Sequence, residues 1–501
     1  MQNKNQDRTP LFDALLNYVD EKTIPFHVPG HKQGRGNEIL TSILGETTVA
    51  IDLTCMEDLD NICNPRSVIK EAENLAAAAY KAENAFFLTN GTTSGIQAMI
   101  MSVCNPGDKI IIPRNAHKSA IGGIILSGAY PIYLEPEIDP FLGIALGITV
   151  DKVRETLQIH PDAKAVFVIN PIYYGITSNL REIVKTAHEF NVPVLVDEAH
   201  GAHLVFHEEL PLSAMEAGAD LAASSTHKLA GSLTQSSLLL HQGKLINPDY
   251  VKAVLNIAQT TSPSYILMAS LDIARREMAL KGRKKIEQVI KLTKQVKAEL
   301  REIAGIYVLD TDILDGNCKY SLDPTKLVIN VRELGFSGYE IERILRQKYH
   351  IQIELSDLYN IIVLITIGDN QEIIGKFLHA FKEIIMSRHA DKIIRYTIDL
   401  PHIPEQQVLP REAFYGETHI VPLEEAEGEI SAEMIMAYPP GIPLICPGER
   451  ITKEIIDYVQ VLHTEEAELQ GTQDPKVKKI KVLNRRLVLL QSQTGTIHNV
   501  G

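Results

Sequence analysis

The sequence lacks every paired-cysteine pattern that would cross-link a small fold or hold a metal. Its 501 residues include only five cysteines, and these lie far apart, without a CxxC pair or a Cys/His cluster at metal-ligand spacing. We therefore expect reduced, mostly buried thiols and no resident metal. The residues concerned are Cys55, Cys63, Cys104, Cys318 and Cys446.

Long apolar runs and a targeting segment are also missing. No stretch approaches the roughly 20 apolar residues that cross a bilayer. The N-terminus lacks a basic segment followed by an apolar one. We therefore expect a cytoplasmic protein that does not associate with membranes.

Basic residues are outnumbered by acidic ones. Lys and Arg total 49 against 63 for Asp and Glu, which gives a formal net charge of −14. A protein that binds nucleic acid through its phosphates needs a basic face to displace counterions. The acidic balance argues against this class of protein, although it leaves room for a local basic patch.

What is present is an ordinary globular composition, with 45% hydrophobic and 22% charged residues. At roughly 100 to 200 residues per domain, this length predicts about two to four domains with sizeable cores. Changes of pattern along the chain divide it into an N-terminal arm with the start of a large domain, a large α/β domain, a smaller α/β domain and a C-terminal α+β domain. These units cover residues 1–80, 81–275, 276–390 and 400–501.

Short β-branched runs alternate with segments of helical period from residue 83 to about residue 241. Such alternation predicts a mainly parallel, seven-stranded sheet with helices on both faces. Ahead of it, a short amphipathic helix is predicted from Leu11 to Val19, and after it a charged helix from Arg275 to Glu299. The predicted strands are Ala85–Thr89, Lys109–Pro113, Pro131–Leu134, Ala165–Ile169, Pro193–Val196, Leu221–Ser224 and Ser237–Leu240.

A small, hydroxyl-rich turn follows the first predicted strand. The segment from Asn90 to Gly95 reads NGTTSG and leads into a helix. Small residues let the backbone approach an oxyanion, and the helix N-terminus offers free N–H groups, so a phosphate would bind there. Simple N-capping by Thr or Ser explains the same residues equally well. The turn is neither a Walker loop nor a GxGxxG dinucleotide motif.

Two further strands end in chemistry-bearing side chains. Asp197 follows a buried apolar strand, which delivers its charge to the carboxyl edge of the sheet, where open α/β folds bind ligands. Lys228 follows the next strand, and burial beside other cations would lower its pKa and free the amine as a nucleophile. For Lys228 the alternative is a snorkelling side chain with no chemical role. For Asp197 the alternative is a metal site with His200 and His203, although the loop spacing matches no zinc signature.

Together the three sites supply what pyridoxal 5'-phosphate needs. The aldehyde of this cofactor needs an amine, its ring nitrogen a carboxylate and its phosphate a helix N-terminus. Lys228 provides the amine, Asp197 provides the carboxylate, and the turn around Thr92 provides the helix N-terminus. Nicotinamide or nucleotide chemistry needs no such lysine.

Several separated motifs follow one another along the chain, namely FHVPGHK (26–32), TNGTT (89–93), PRNAHKS (113–119), VDEAHG (196–201), STHK (225–228), YPPGIP (438–443) and PGE (447–449). Through these motifs the chain resembles, from about residue 10 to about residue 450, the ornithine/lysine/arginine decarboxylases among the fold-type I pyridoxal-phosphate enzymes. It looks most similar to the short bacterial arginine decarboxylases, which lack the N-terminal wing domain of the long members, so assembly into large rings is not expected.

The resemblance implies roles for individual residues. Lys228 would form the Schiff base with the cofactor, Asp197 would bind the pyridine nitrogen, and His117 would stack on the ring. His227 would bind phosphate or return a proton to the α-carbon, and these two roles stay open. The other implied cofactor contacts are Gly91, Thr92, Thr93, Ala199 and Ser225.

The resemblance also implies decarboxylation of a basic amino acid, with arginine giving agmatine for polyamine and spermidine biosynthesis. Lysine or ornithine decarboxylation, an aminotransferase and a non-catalytic paralogue are the alternatives. A homodimer is the minimum assembly, with His31 and Glu449 as candidate peripheral contributors. The cationic end of the substrate needs a carboxylate, for which Glu354, Asp357 and Glu449 are candidates.

Overall fold

The computed structural model describes residues 5–387, 401–437 and 441–484. Its largest element is a sheet of seven strands. Each strand lies within one residue of its predicted bounds at either end. The strands are β1 (Asn84–Leu88), β2 (Lys109–Pro113), β3 (Tyr130–Leu134), β4 (Ala165–Ile169), β5 (Val194–Asp197), β6 (Leu221–Ser224) and β7 (Ser237–His241).

The strands follow the spatial order β1-β7-β6-β5-β4-β2-β3. Only β7 runs against its neighbours, β1 and β6. The remaining pairs are parallel. The predicted mainly parallel, seven-stranded sheet is therefore confirmed.

Both faces of the sheet are covered, which explains why its strands are almost continuously apolar. Phe87 packs into the core on one face, and its neighbours Phe86 and Leu88 pack into the core on the other. Alternate residues of a strand point to opposite faces, so one strand serves both cores. The helices of this region are Pro10–Asp20, Glu38–Leu44, Glu46–Ala50, Val68–Ala79, Gly91–Met101, Lys118–Ser127, Val150–Ile159, Leu180–Glu189, Ala214–Ala217, Thr226–Leu229 and Pro248–Ala258.

A single long helix, Tyr265–Arg301, connects the sheet to a second unit. It begins ten residues before the predicted start at Arg275, where the Ser264 side chain accepts a hydrogen bond from the backbone N–H of Leu267. Its first turns are apolar and pack on the sheet, whereas its later turns pack in a separate core. The charge pattern used for the prediction begins only at Arg275 and therefore misses these apolar first turns.

The second unit is built around four antiparallel strands. They are Tyr307–Val308, Lys326–Asn330, Leu355–Ser356 and Asn360–Leu364, and the helices Gly338–Tyr349 and Gln371–Met386 pack against them. The predicted end of this unit, near residue 388, lies outside the described residues.

The C-terminal unit has its own small core of apolar residues. Its strands are Thr418–Pro422, Ile435–Ala437, Ile442–Ile445, Leu469–Gln470 and Lys479–Leu483, and its helices are Pro410–Tyr415 and Lys453–Thr464. The first three residues of the YPPGIP motif (438–440) and the tail (491–501) lie outside the described residues. None of the helices in the described part of the chain has both the length and the apolar character to span a bilayer.

A buried ion pair attaches this unit to the large sheet. Arg114, directly after β2, donates from Nε to Glu449 Oε1 at 2.9 Å and from Nη2 to Glu449 Oε2 at 2.8 Å. It also donates to the Pro443 carbonyl at 2.7 Å. The two side chains are 6% and 0% exposed. Each buried charge is therefore compensated by the other one rather than by water.

The substitution Glu449→Gln should destabilise the protein strongly, because it leaves the Arg114 guanidinium buried without its counter-charge. Loss of one partner of a buried pair costs about 3–5 kcal/mol. Urea denaturation followed by circular dichroism measures the change. The matched control is Glu405→Gln, whose carboxylate lies 4.0 Å from the exposed Arg450 and should leave the midpoint unchanged. Equal midpoints for both variants would contradict this account.

Candidate active site

A cleft opens at the carboxyl edge of the large sheet, beside the ends of β1, β5 and β6. Every cofactor-site residue predicted from the sequence lines this one cleft. Because the ends of parallel strands meet at one edge, residues far apart in sequence are brought together. The predicted residues in the cleft are Gly91, Thr92, Thr93, His117, Asp197, Ala199, Ser225, His227 and Lys228.

The turn after β1 leaves the start of its helix open to an anion. Gly91 adopts φ +69°, and nothing lies within 4 Å of the position that a Cβ would take there. Asn90 precedes the helix, but its side chain makes no capping hydrogen bond. The Thr92 hydroxyl lies 2.5 Å from Ser225 Oγ and 2.9 Å from Ser237 Oγ. The Gly91 N–H donates to the Gln235 carbonyl at 2.8 Å, but no side-chain cap from Asn90 reaches the N–H groups that follow, so this arrangement fits a phosphate group.

Lys228 lies in the short helix that follows β6, and its Nζ is 2.8 Å from His200 Nε2. Burial lowers the pKa of Lys228, although the negative charges of Glu354 and then Asp197 act to raise it. The predicted lowering of the pKa thus has burial as its cause. An amine in this state is suited to attack an aldehyde.

Asp197 ends β5 and is 5% exposed. Its Oδ1 accepts a hydrogen bond from the Ala199 N–H at 3.1 Å. Burial raises the pKa of Asp197 to about 6, while the Ala199 N–H and Lys228 act in the opposite direction. Among the described residues no cation lies within ion-pair distance of this carboxylate. A bound group that carries a protonated ring nitrogen would supply the missing charge, so the residue fits pyridoxal phosphate.

His117 caps the helix Lys118–Ser127 and lines the cleft at the same time. Its Nδ1 accepts from the Ser119 N–H at 3.2 Å, so the capping role weighed for it is present. Burial, followed by Lys228 and Lys118, lowers the pKa of His117 to about 4. The ring is therefore neutral at physiological pH.

His227 is oriented by the backbone. Its Nδ1 lies 2.8 Å from the Ser236 carbonyl, so Nδ1 carries the proton that is donated there. Burial lowers the pKa of His227, which favours the neutral ring. Neither observation separates phosphate binding from proton transfer.

His200 has a position that its sequence motif did not reveal. It lies in the cleft, 5.0 Å between ring centroids from Tyr173 in an edge-to-face contact. Its Nδ1 is 3.1 Å from the Nζ of Lys326, a residue of the second unit. Within the described residues no cluster of His, Cys, Asp and Glu has the arrangement of a metal site. His200 instead contacts two lysines, and no nearby sequence signal points to the second one.

The three candidate substrate carboxylates have different surroundings. Glu354 lines the cleft and is exposed. Asp357 accepts from the Tyr174 hydroxyl at 2.6 Å and lines a neighbouring cavity rich in tyrosine. Glu449 is held by Arg114 and does not line this chain's own cleft, and its roles as a peripheral contributor in a dimer and as a substrate-binding residue stay predictions. His31 lies outside the cleft of its own chain and pairs with Asp52 at 3.1 Å.

Solved structures share this architecture. The lysine decarboxylase LdcF of Francisella novicida superposes with a TM-score of 0.83 at 24% identity, covering 95% of this chain and 81% of that one. A ureidoglycine-glyoxylate aminotransferase from Bacillus subtilis matches with a TM-score of 0.52 at 16% identity, covering 66% of this chain and 88% of that one. The fold class is that of the fold-type I pyridoxal-phosphate enzymes.

Sequence relatives identify the family within this class. The model of the Orn/Lys/Arg decarboxylase major domain matches residues 9–373, and that of the Orn/Lys/Arg decarboxylase C-terminal domain matches residues 397–475. An arginine decarboxylase of Bacillus anthracis is 45% identical over 96% of this chain and 98% of its own length. One of Bacillus subtilis (strain 168) is 46% identical over 96% and 99%. The chain belongs to the Orn/Lys/Arg decarboxylase family and is a decarboxylase.

The neutral state of His117 predicts a loss of stability in acid. In the unfolded chain a histidine takes up its proton near pH 6.5, whereas the folded protein resists protonation of His117 until about pH 4. Stability should therefore fall as the pH drops through this interval, by about 3 kcal/mol from this group. Urea denaturation between pH 4 and pH 7 measures it.

The variant His117→Asn retains a capping oxygen and should lose less stability over the same interval. The control is His379→Asn, at an exposed position with 76% side-chain exposure, which should follow the parent protein. An unchanged pH dependence in the His117 variant would show that another group is responsible.

Proposed function

We propose that this protein decarboxylates L-arginine to agmatine and CO2 with pyridoxal 5'-phosphate, as a step of polyamine and spermidine biosynthesis. The observation that carries the proposal is the cleft in which Lys228 and Asp197 meet beside an uncapped helix N-terminus. The choice of arginine is supported by the arginine decarboxylases that share 45% identity with nearly the whole chain. A lysine decarboxylase of Pseudomonas aeruginosa is only 26% identical.

The residues that would hold the cofactor form two groups. Gly91, Thr92, Thr93 and Ser225 surround the start of the helix after β1 and would bind the phosphate. On the other side of the cleft, Asp197 would hold the proton on the ring nitrogen, and Ala199 would leave room for the ring. When bound, the cofactor would supply an aldehyde for Lys228 and a ring that accepts the electron pair left on the α-carbon when CO2 departs.

Lys228, His117 and His227 would carry out the steps that belong to the protein. Burial favours the uncharged amine of Lys228, which would bind the cofactor and would then be displaced by the substrate amine. His117 is neutral and lines the cleft where it can stack on the ring. His227 would contact the phosphate or return a proton to the α-carbon after CO2 has left. Both roles are compatible with its hydrogen bond to Ser236.

Glu354 is our candidate for the carboxylate that binds the substrate guanidinium. It is the one of the three candidates that lines this cleft, whereas Asp357 and Glu449 already accept hydrogen bonds elsewhere. A carboxylate accepts two parallel N–H bonds from a guanidinium, which an ammonium group cannot supply in the same geometry. Arginine would gain the most from such a contact.

We further propose a homodimer located in the cytoplasm. The short helix Glu38–Leu44 buries none of its residues within the chain. Ile39 and Ile43 on this helix are each 75% exposed, and Phe26, earlier in the chain, is 93% exposed. Large apolar side chains with this much exposure favour a protein contact, and a second copy of this chain would cover them.

Arginine, lysine and ornithine, supplied separately to the purified protein with pyridoxal phosphate, should give mainly agmatine from arginine. Amine products are identified by mass spectrometry, and CO2 is measured from the carboxyl-labelled amino acids. Lys228→Ala is the control and should release no CO2. Cadaverine or putrescine as the main direct product would reassign the substrate. Keto acid formation that depends on an acceptor would indicate an aminotransferase.

Asp197 and its neighbour Glu198 provide a matched pair of variants. Asp197→Asn should lower kcat by at least about a hundredfold, because the ring nitrogen loses its anionic partner. Glu198→Gln should lose far less, since Glu198 accepts from the Ala214 N–H at 2.6 Å and does not line the cleft. Steady-state kinetics with arginine measures both variants. The reverse order would assign the ring contact to Glu198.

A further inference from the structure

His200 is placed between the half-buried Lys228 and the buried Lys326, two lysines that come from different parts of the chain. Its Nε2 lies 2.8 Å from Lys228 Nζ, and its Nδ1 lies 3.1 Å from Lys326 Nζ. Lys326 begins a strand of the second unit and is 1% exposed, and His200 is 4% exposed. Each ring nitrogen of His200 therefore lies within hydrogen-bond distance of a lysine Nζ, and the ring itself has little access to water.

The hydrogen-bonding capacity of imidazole limits the charges in this chain of groups. A neutral imidazole has one nitrogen that donates and one that accepts, and an ammonium group can only donate. Burial and the flanking cations keep the pKa of His200 well below its usual value, so the ring is neutral. If both contacts are hydrogen bonds, one lysine must be a neutral amine that accepts a hydrogen bond from the ring N–H.

The surrounding charges assign the positive charge to Lys326. Asp323 is fully buried close to Lys326 and lies 3.0 Å from His203 Nε2. Burial raises the pKa of Asp323, but His203 and Lys326 more than offset this and hold it below its usual range. This buried carboxylate is ionised, and its charge is stabilised by His203 and then by Lys326. Burial lowers the pKa of Lys326 to about 8, and Asp323 acts in the opposite direction and favours the charged ammonium.

We propose that Lys326 is a positioning residue: its ammonium group donates to His200 Nδ1, fixes the ring proton on Nε2, and so keeps Lys228 an uncharged amine. The inference rests on the proposed role of Lys228 as the amine that binds the cofactor. It adds a residue of the second unit, outside all the motifs discussed above, to the control of that amine.

Other charged groups around Lys228 do not replace this contact. Asp197 and Glu354 both favour a charged Lys228, whereas His117 and His203 affect His200 as neighbouring cations only when they are protonated. The two carboxylates therefore oppose the uncharged state of Lys228. Burial and the proton on His200 Nε2 favour it.

The test measures the amine of Lys228 directly in the full-length chain after removal of the cofactor. Trace acetylation with acetic anhydride, followed by peptide mass spectrometry, gives the reactivity of Lys228 as a function of pH. An exposed lysine such as Lys376 serves as the internal reference. In Lys326→Met, His200 is free to accept from a charged Lys228. The Lys228 profile should then move up by about one pH unit or more, which is a roughly tenfold loss of reactivity at any pH below the midpoint of the parent protein.

Two further variants separate this effect from loosened packing. Lys326→Arg retains a cationic donor and should keep the profile of the parent protein. Lys252→Met removes a half-buried lysine whose pKa is lowered by burial and raised by Glu73, and should leave Lys228 unchanged. An unmoved profile in Lys326→Met overturns the proposal, as does an equal shift in the arginine variant.

Nitrogen-15 spectra of histidine-labelled protein give a second readout that needs no lysine variant. The His200 signals, assigned with His200→Asn, should show a protonated Nε2 and an unprotonated Nδ1. The opposite tautomer would overturn the proposal. Neither readout uses substrate turnover. A failure of arginine as the substrate would therefore leave this result intact, and a failure here would leave the arginine assay intact.

Discussion

Parallel pairing of β5 with β6 is the constraint on which the candidate site depends. The register places Asp197 beside Ala223, so both strands end at the same edge of the sheet. Asp197 then enters the cleft directly, and Lys228 reaches it from the helical turn that follows β6. A shift of one residue in either strand would turn its buried side chains to the opposite face, and the apolar cores on both faces oppose such a shift.

Burial then gives each ionisable group in the cleft a state that suits its proposed task. It lowers the pKa of Lys228 and of His117 and raises that of Asp197. The amine and the imidazole are thereby favoured in their neutral forms, and the carboxylate is left in need of a cation. Desolvation alone would produce these directions. In our proposal the hydrogen bonds of His200 also make the charge of Lys228 depend on which ring nitrogen carries the proton. Desolvation does not produce such a dependence.

The sequence was sufficient to predict the seven strands and the three strand-end sites, because period and strand-end position are local signals. It could not predict contacts that join distant segments. Lys326 reaches His200 only when the second unit packs on the sheet, and Glu449 meets Arg114 only when the C-terminal unit does. The early start of the helix at Tyr265 was missed for a related reason: its first turns are apolar because they pack on the sheet.

The segment after β2 connects the C-terminal unit to the cleft. Arg114 is held by Glu449, and the Lys118 N–H donates to the Gly441 carbonyl at 3.1 Å. His117 lies between these two attachments and lines the cleft. The position of its ring therefore depends on a domain that contributes no side chain to the cleft among the described residues. Packing of that domain and the geometry of the candidate active site are parts of one arrangement, because the three residues between Arg114 and Lys118 cannot move independently of both ends.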